Sequence, residues 1–220
     1  GTGSEATMGA VITDPVTHAK EVIGGPALLP RAVAIDPALM TGMPPHITAA
    51  TGIDALTHGV EAFIGVWERG TRIETGKLAV QGVFRWLKAA MANPDSLEAR
   101  MGMAIAAYNG GVAINQVNVG TVHAVAHNMG AKYGIPHGVA NALVLPHMLK
   151  TYGTAVTAKL AELAVATGVS SAASQEARAD AFIDAVRQLI DDVGISATDD
   201  RLQAGDFDAI VEAAITEADG

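Results

Sequence analysis

The spacing of a few aspartate and histidine side chains constrains the fold of this chain more than any other feature of its sequence. Asp54 and His58 are four residues apart, and so are His123 and His127. Residues four apart lie on one face of an α-helix, so each pair predicts a helix that carries two lone-pair donors together. His137 follows soon after the second pair. Two helices and a third element are therefore expected to converge on a metal site.

The alternative is that each histidine is an ordinary core residue with satisfied hydrogen bonds, or an exposed one. A shared site is favoured because the five groups lie in apolar stretches rich in glycine and alanine, where an unpaired polar side chain is costly to bury. One carboxylate with several imidazoles is typical of Fe(II) or Zn(II), whereas Mg(II) and Ca(II) prefer shells of oxygen atoms. These donor types do not distinguish iron from zinc.

The composition favours a helical protein and argues against several classes of partner. Half of the residues are hydrophobic but only 4% are aromatic, so alanine, leucine and methionine, which are strong helix formers, fill much of the core. A net charge of −9, without a run of Lys or Arg, argues against nucleic acid or an anionic membrane surface. The apolar stretches are interrupted by polar residues, so no membrane span is expected. The lack of cysteine rules out a thiolate site and fits a cytoplasmic protein.

Short strands are expected near the start of the chain and helices after them. Three β-branched runs predict strands at 10–14, 20–24 and 31–36. Three short strands cannot close a core alone, so they are expected to form the edge of a larger sheet. Glycines inside the third helical segment, Gly110 and Gly111, indicate close packing. The third helical segment is expected to start at the N-cap Ser96 and to include the apolar stretch 101–119. The other helical segments are expected at 44–65, 74–92, 123–133, 139–151, 155–167, 174–193 and 206–218.

Weaker features are expected to lie outside the ligand set. The opening Gly1–Ser4 segment resembles a phosphate-binding turn, but an ordinary turn has the same composition. Glu61 is either a fifth ligand or, as we expect, a group in an outer position. The remaining histidines and the tryptophans are interpreted as solvated (His18, His46), helical and near the site (His147), or packed (Trp67, Trp86).

Three long segments resemble the iron-containing (group III) alcohol dehydrogenases. They are GTGSEATMGAVITD, DPALMTGMPPHITAATGIDALTHGVEAFI and NVGTVHAVAHNMGAKYGIPHGVANALVLPH. The resemblance implies a mainly α fold, the helical C-terminal domain of the dehydroquinate synthase-like fold, at residues 44–220. Residues 1–43 would then be strands and a cofactor-lining turn left from the α/β nucleotide-binding domain. Family members carry about one further domain before GTGSE, so the resemblance also implies that this chain is a fragment.

The resemblance implies an enzyme that interconverts alcohols with aldehydes or ketones, using NAD or NADP. Fe(II) or Zn(II) would polarise the oxygen of a small alcohol or aldehyde substrate. By motif, the family's metal ligands match one aspartate and three histidines: Asp54, His58, His123 and His137. His127 matches a histidine near the nicotinamide and substrate, with a role in proton handling or substrate positioning. The residues that match cofactor contacts are Thr2, Thr7 and Lys20. Family members often dimerise, so a homodimer is one expectation.

Other functions remain open from the sequence. A zinc polyol dehydrogenase or dehydroquinate synthase relative belongs to the same superfamily, although DALTHGVEA favours the alcohol dehydrogenases. A helical metal-binding or assembly module without catalysis is a second alternative. A structural helical domain with buried histidines is a third. As a fragment, the chain is expected to bind metal weakly and to oxidise alcohols poorly or not at all.

Overall fold

The chain is mainly α-helical in its computed structural model, which describes residues 1–16, 20–66, 71–115 and 119–219. None of the described helices is both long and apolar enough to cross a membrane. The helices, in chain order, are α1 (Pro45–Ile64), α2 (Thr71–Ala92), α3 (Leu97–Ile114), α4 (Thr121–Tyr133), α5 (His137–Thr151), α6 (Thr157–Ala166), α7 (Gln175–Asp192) and α8 (Phe207–Asp219). Short 3-10 turns lie at Ser4–Ala6, Pro26–Leu28, Pro37–Met40, Gly153–Ala155 and Ala204–Asp206.

Two of the three predicted strands are present. Strand β1 (Gly9–Thr13) pairs antiparallel with β2 (Lys20–Gly24), with Gly9 opposite Gly24 and Thr13 opposite Lys20. The prediction of a third strand at 31–36 is wrong, because this segment has no sheet partner among the described residues. β-Branched residues alone do not make a strand, since its backbone groups need a neighbouring backbone. Asp36 instead caps the Pro37–Met40 turn by accepting the N–H of Ala38 at 2.9 Å.

Local signals in the sequence account for some of the helix ends. Ser96 caps α3 by accepting the N–H of Ala99 at 3.2 Å, as predicted. Gly134 ends α4 in the left-handed conformation, with φ of 65°. Helix α3 stops at Ile114, before the predicted end at 119. Residues 116–118 lie outside the described part of the chain, as do His18 and Trp67.

Helix α1 is the centre of the molecule. Between residues 48 and 63 every α1 side chain except Thr51 is buried, and α2, α3 and α5 pack around the helix. A helix that is apolar on most sides is expected in such a position. Because α1 also carries Asp54, His58 and Glu61, it places three titratable side chains inside the protein. A second apolar cluster joins α4, α5 and α8.

Two glycines allow unusually close approach of other segments. A Cβ atom on Gly138, at the start of α5, would lie 2.0 Å from the backbone oxygen of Ala50 in α1. One on Gly111 in α3 would lie 2.1 Å from the backbone oxygen of Gly3. The second contact agrees with the expectation that glycines in this helix mark close packing. The first contact holds the beginning of α5 against α1.

Candidate metal centre

Helix α1 contributes an aspartate and a histidine from one buried face. Asp54 and His58 are one helical turn apart, and their side chains are almost fully buried. Their nearest atoms, Oδ2 and Nδ1, are 3.9 Å apart. The pairing follows from the four-residue spacing, which the helix converts into a shared direction.

Helix α4 brings His123 to the same point. Its Nε2 lies 3.4 Å from Oδ1 of Asp54. Its ring stacks on that of His58, with centroids 4.7 Å apart and planes 5° from parallel. One potential ligand atom from each of Asp54, His58 and His123 lies within 4.8 Å of the other two. His123, one member of the second four-residue pair, therefore joins both members of the first pair.

The first residue of α5 approaches from the solvent side. His137 Nε2 is 3.1 Å from Oδ1 of Asp54, and the His137 side chain is 34% exposed. Its ring centroid is 5.3 Å from that of His123. His137 is not part of the mutually close set of three, but it contacts the same carboxylate oxygen as His123. Among these side chains His137 is the most exposed, whereas Asp54 and His123 are almost fully buried.

The charges in the cluster depend strongly on one another. Burial would raise the pKa of Asp54, but the adjacent His58 and hydrogen bonds from His123 and His137 hold it well below its ordinary value. Burial lowers the pKa of His58 to about 4, which favours a neutral imidazole. Burial opposes protonation of His123 as well, but hydrogen bonds to Asp54 and Glu61 raise its pKa to about 9. Asp54 therefore supplies a carboxylate to the cluster at neutral pH.

Unpaired polar atoms provide an independent test of whether a metal fits. His58 Nδ1 is buried and has no hydrogen-bond partner within the described structure. Asn141, fully buried on α5, donates through Nδ2 to Oδ1 of Asp54 at 2.7 Å. The same Nδ2 lies 3.3 Å from Nε2 of both His123 and His137. Buried donors and acceptors normally have partners. Here one amide N–H group faces several lone pairs of the Asp54 carboxylate and the imidazoles, and a divalent cation could accept the remaining lone pairs.

Sequence reasoning missed Asn141. A signal was present, because Asn141 is four residues after His137 and therefore on the same face of α5. An amide is a weak indicator of a metal site by itself. Its position becomes informative only when α5 packs against α1.

Glu61 contacts the far side of His123. Its Oε2 is 2.5 Å from Nδ1 of His123 and accepts the N–H of Gly120 at 3.1 Å. Its Oε1 accepts the N–H of Val122 at 2.7 Å. The carboxylate thus bonds to the nitrogen of His123 that faces away from Asp54. This arrangement agrees with the expected outer position of Glu61.

His127 lies beside the cluster and contacts the last helix. Its ring stacks on His137, with centroids 5.1 Å apart. Its Nδ1 is 2.5 Å from Oε1 of Glu217 in α8, and Asn128 Nδ2 donates to the other oxygen of Glu217 at 3.3 Å. Burial lowers the pKa of His127, although Glu217 opposes the shift. Nothing in the sequence pairs Glu217 with His127, because 90 residues separate them.

The remaining predicted residues fall in three groups. Thr2 and Thr7 are half-buried in the opening segment, and the Thr7 hydroxyl lies 3.0 Å from the backbone oxygens of Ser4 and of Gly9. Lys20 begins β2, but its side chain is outside the described part of the structure. Two histidines are exposed, His46 as expected and His147 on the outer surface of α5.

Comparison with known proteins identifies the family of this chain. Residues 48–220 match the model of the Fe-containing alcohol dehydrogenase family, C-terminal. Alcohol dehydrogenase 4 of Schizosaccharomyces pombe is 38% identical over the whole of this chain and 52% of its own length. 1,3-Propanediol dehydrogenase of Klebsiella pneumoniae is 38% identical over 99% of this chain and 57% of its own. This chain thus spans about half the length of the curated relatives it matches.

Solved structures give the same assignment. A crystal structure of 1,3-propanediol oxidoreductase superposes with a TM-score of 0.94 at 38% identity, over 98% of this chain and 57% of that one. An alcohol dehydrogenase from Oenococcus oeni gives a TM-score of 0.94 at 37% identity, over 99% of this chain and 57% of that one. Both cover the helices and the two strands together. The chain therefore belongs to the Fe-containing alcohol dehydrogenase family and matches its C-terminal portion.

Proposed function

We propose that this chain supplies the metal centre of an NAD(P)-dependent alcohol dehydrogenase. The observation that carries the proposal is the convergence of His58, His123 and His137 on the Asp54 carboxylate, inside a member of this family. The proposed ligands of Fe(II) or Zn(II) are Asp54, His58, His123 and His137. When bound, the metal would make the hydroxyl of an alcohol more acidic and the carbonyl of an aldehyde or ketone more electrophilic.

The open side of the cluster sets the proposed position of the substrate. Asp54 and His123 are almost completely buried, whereas His137 is partly exposed. A small alcohol or aldehyde would therefore approach past His137. His127 is stacked on that side, and its Nδ1 is engaged by Glu217. Its Nε2 is left to position the substrate or to exchange a proton with it.

The opening segment is proposed to line the cofactor. Gly3 rests on the backbone of α3, and Asn115 Oδ1 accepts the N–H of Met8 at 2.6 Å. These contacts hold the segment that contains Thr2 and Thr7 against α3 and against Asn115, the residue that follows it. We propose that residues 1–43 belong to a nucleotide-binding domain and 44–220 to a metal-binding domain, and that Lys20 also contacts NAD or NADP. Hydride transfer then requires the half of the relatives' length that this chain does not span.

Metal analysis tests the proposal directly. The chain is purified without oxygen, and its iron and zinc are measured by elemental analysis. We expect about one ion per chain, which is typical of a catalytic site with three or four protein ligands, and its loss in His137→Ala. His147→Ala, which removes an exposed histidine from the same helix, is the matched control and keeps the ion. A wild-type chain that stays metal-free even after incubation with excess Fe(II) or Zn(II) contradicts the proposal and favours a structural helical domain.

A second measurement separates an enzyme from an inactive metal-binding module. It uses a longer form of the protein that includes the nucleotide-binding half. His127→Ala is expected to retain the ion but to lose most NAD(P)-linked alcohol oxidation, because His127 is beside the cluster and not among the proposed ligands. A metal-loaded, folded wild type without turnover on any short alcohol supports the inactive module instead.

A further inference from the structure

We infer that Glu61 is a positioning residue: its carboxylate holds the start of α4 and the Nδ1–H of His123 together, so that Nε2 of His123 faces Asp54. The link to metal binding rests on the function proposed above, whereas the hydrogen-bond arrangement is a property of this chain alone. Glu61 is not among the proposed metal ligands. Its role would be exerted through His123.

The position of Glu61 on α1 makes this contact available. Glu61 is seven residues after Asp54, which is two turns of helix, so the two carboxylates project from the same face. Asp54 faces one nitrogen of His123 and Glu61 faces the other, at 3.4 Å and 2.5 Å. The ring of His123 therefore lies between two carboxylates of the same helix, α1.

The carboxylate also completes the first turn of α4. The first N–H groups of a helix have no partner within the helix. Glu61 accepts the N–H of Gly120, the N-cap residue, and of Val122 inside the first turn. A negative charge is favourable at this end of a helix. A carboxylate accepts but does not donate, so Glu61 suits three donors that point at it from one element.

Gly120 is independent support for the arrangement. A Cβ atom at this position would lie 2.5 Å from Oε1 and 2.9 Å from the carboxyl carbon of Glu61. Only glycine therefore lets the backbone of α4 approach the carboxylate this closely. A side chain at position 120 would therefore displace the Glu61 carboxylate without changing its charge or any proposed ligand.

The orientation has a chemical consequence. When Nδ1 of a histidine donates to a carboxylate, its tautomer and ring orientation are set and Nε2 is presented as the ligand atom. Loss of such an outer partner typically lowers metal affinity about 10- to 100-fold. Glu61→Gln preserves size but replaces one acceptor oxygen with an NH2 group, which would face N–H donors.

The first test measures zinc affinity of the full chain by competition with a coloured chelator. We expect Glu61→Gln to weaken zinc binding about 10- to 100-fold, and Gly120→Ala to weaken it in the same direction. Glu212→Gln, which changes an exposed glutamate on α8, is the matched control and should leave affinity unchanged. If Glu61→Gln does not fold, Gly120→Ala decides the question. Wild-type affinity in a folded Gly120→Ala, with the carboxylate displaced, overturns the inference.

The second test observes the proton itself, in zinc-free chain labelled with 15N-histidine. NMR should detect a ring Nδ1–H of His123 that is protected from solvent exchange, and the signal should be lost in Glu61→Gln. Persistence of the protected signal in that variant overturns the inference. A wild type that shows the signal but binds no zinc contradicts the proposed metal centre and leaves the Glu61–His123 contact supported, so the two failures are distinguishable.

Discussion

Buried polar side chains in this protein differ in how completely they are hydrogen-bonded. At the proposed metal centre, carboxylate and imidazole groups lie close together, and His58 Nδ1 has no hydrogen-bond partner. Arg100, equally buried, is satisfied by neutral oxygens: it donates to the hydroxyl of Thr48 at 2.9 Å and to the backbone oxygen of Pro94 at 2.8 Å. Arg100 ties the start of α3 to the first turn of α1. The contrast separates a structural group from the proposed ligand set.

Removal of Arg100 should therefore affect stability without involving the metal ligands directly. Arg100→Met leaves buried oxygens without a donor, which costs about 1–3 kcal/mol for each such group. We expect the free energy of unfolding to fall by about 2–6 kcal/mol, since two acceptors, each costing about 1–3 kcal/mol, lose their donor. Urea denaturation measures the change. The exposed Arg187→Met is the control, and an equal loss in both variants would contradict this account.

Asp199 provides a pH prediction at the surface. Hydrogen bonds from the Arg201 side chain and backbone hold its pKa at about 2, below the ordinary 3.8. Because the folded-state pKa is the lower one, the pair's stabilising contribution is complete above pH 3.8 and disappears as pH falls through about 2. An NMR titration of the Asp199 carboxyl should show the low midpoint. In Arg201→Gln the midpoint should rise towards 3.8, and an unchanged midpoint contradicts the proposed cause.

Contacts between elements determine where the proposed ligands meet. Helices α1 and α5 approach at Gly138, whose missing side chain lets the backbone of α5 reach Ala50. His137 is the adjacent residue, and it contacts Asp54. The separation of the two helices therefore sets the distance between His137 and Asp54.

Gly138→Ala tests this dependence. The added Cβ would meet the Ala50 oxygen at 2.0 Å, so α5 must move away from α1. Overpacking of this kind costs about 1–3 kcal/mol, and zinc affinity should fall because His137 moves with the helix. Thermal unfolding and zinc titration measure the two effects. Gly205→Ala, at a glycine with open space, is the control; normal stability and affinity in Gly138→Ala would refute the argument.

The strand pair β1–β2 is more exposed than the central helix α1. Both strands expose apolar side chains, including Val11, Ile12 and Ile23, and they form a two-stranded sheet on the surface. Helix α1 is buried on most sides. An isolated strand pair is only marginally stable in water. The stability of the chain is therefore expected to reside in its helices.

Hydrogen exchange should reveal this difference. In the 220-residue chain, amides of Gly9–Thr13 and Lys20–Gly24 are expected to exchange much faster than those of α1, because local opening of the strand pair breaks few buried contacts. Mass spectrometry of peptic fragments measures both regions in one sample. Equal protection of the strands and α1 would show that the strand pair is stabilised by contacts other than those described.

Sequence patterns that span a few residues predicted the positions of the helices. The apolar periodicity and caps such as Ser96 placed the helices to within a few residues, because these signals act within one or two turns. The strand predicted at 31–36 from its β-branched residues was wrong for a related reason. β propensity is a local property, whereas strand formation needs a neighbouring strand. The four-residue pairs also predicted which side chains share a face. Their assignment as ligands stays a prediction.

The sequence by itself determined the helical class, the family resemblance and the two donor pairs, because each depends on neighbours along the chain. Only the tertiary structure shows that Asn141 donates to Asp54, that Glu61 hydrogen-bonds His123 and that Glu217 hydrogen-bonds His127. Those contacts join groups 62 to 90 residues apart. They exist because helices that are far apart along the chain pack against one another, and the fit between them is a property of the packed helices together. Gly138 lets the backbone of α5 approach that of α1, and Gly120 lets the start of α4 approach the Glu61 carboxylate.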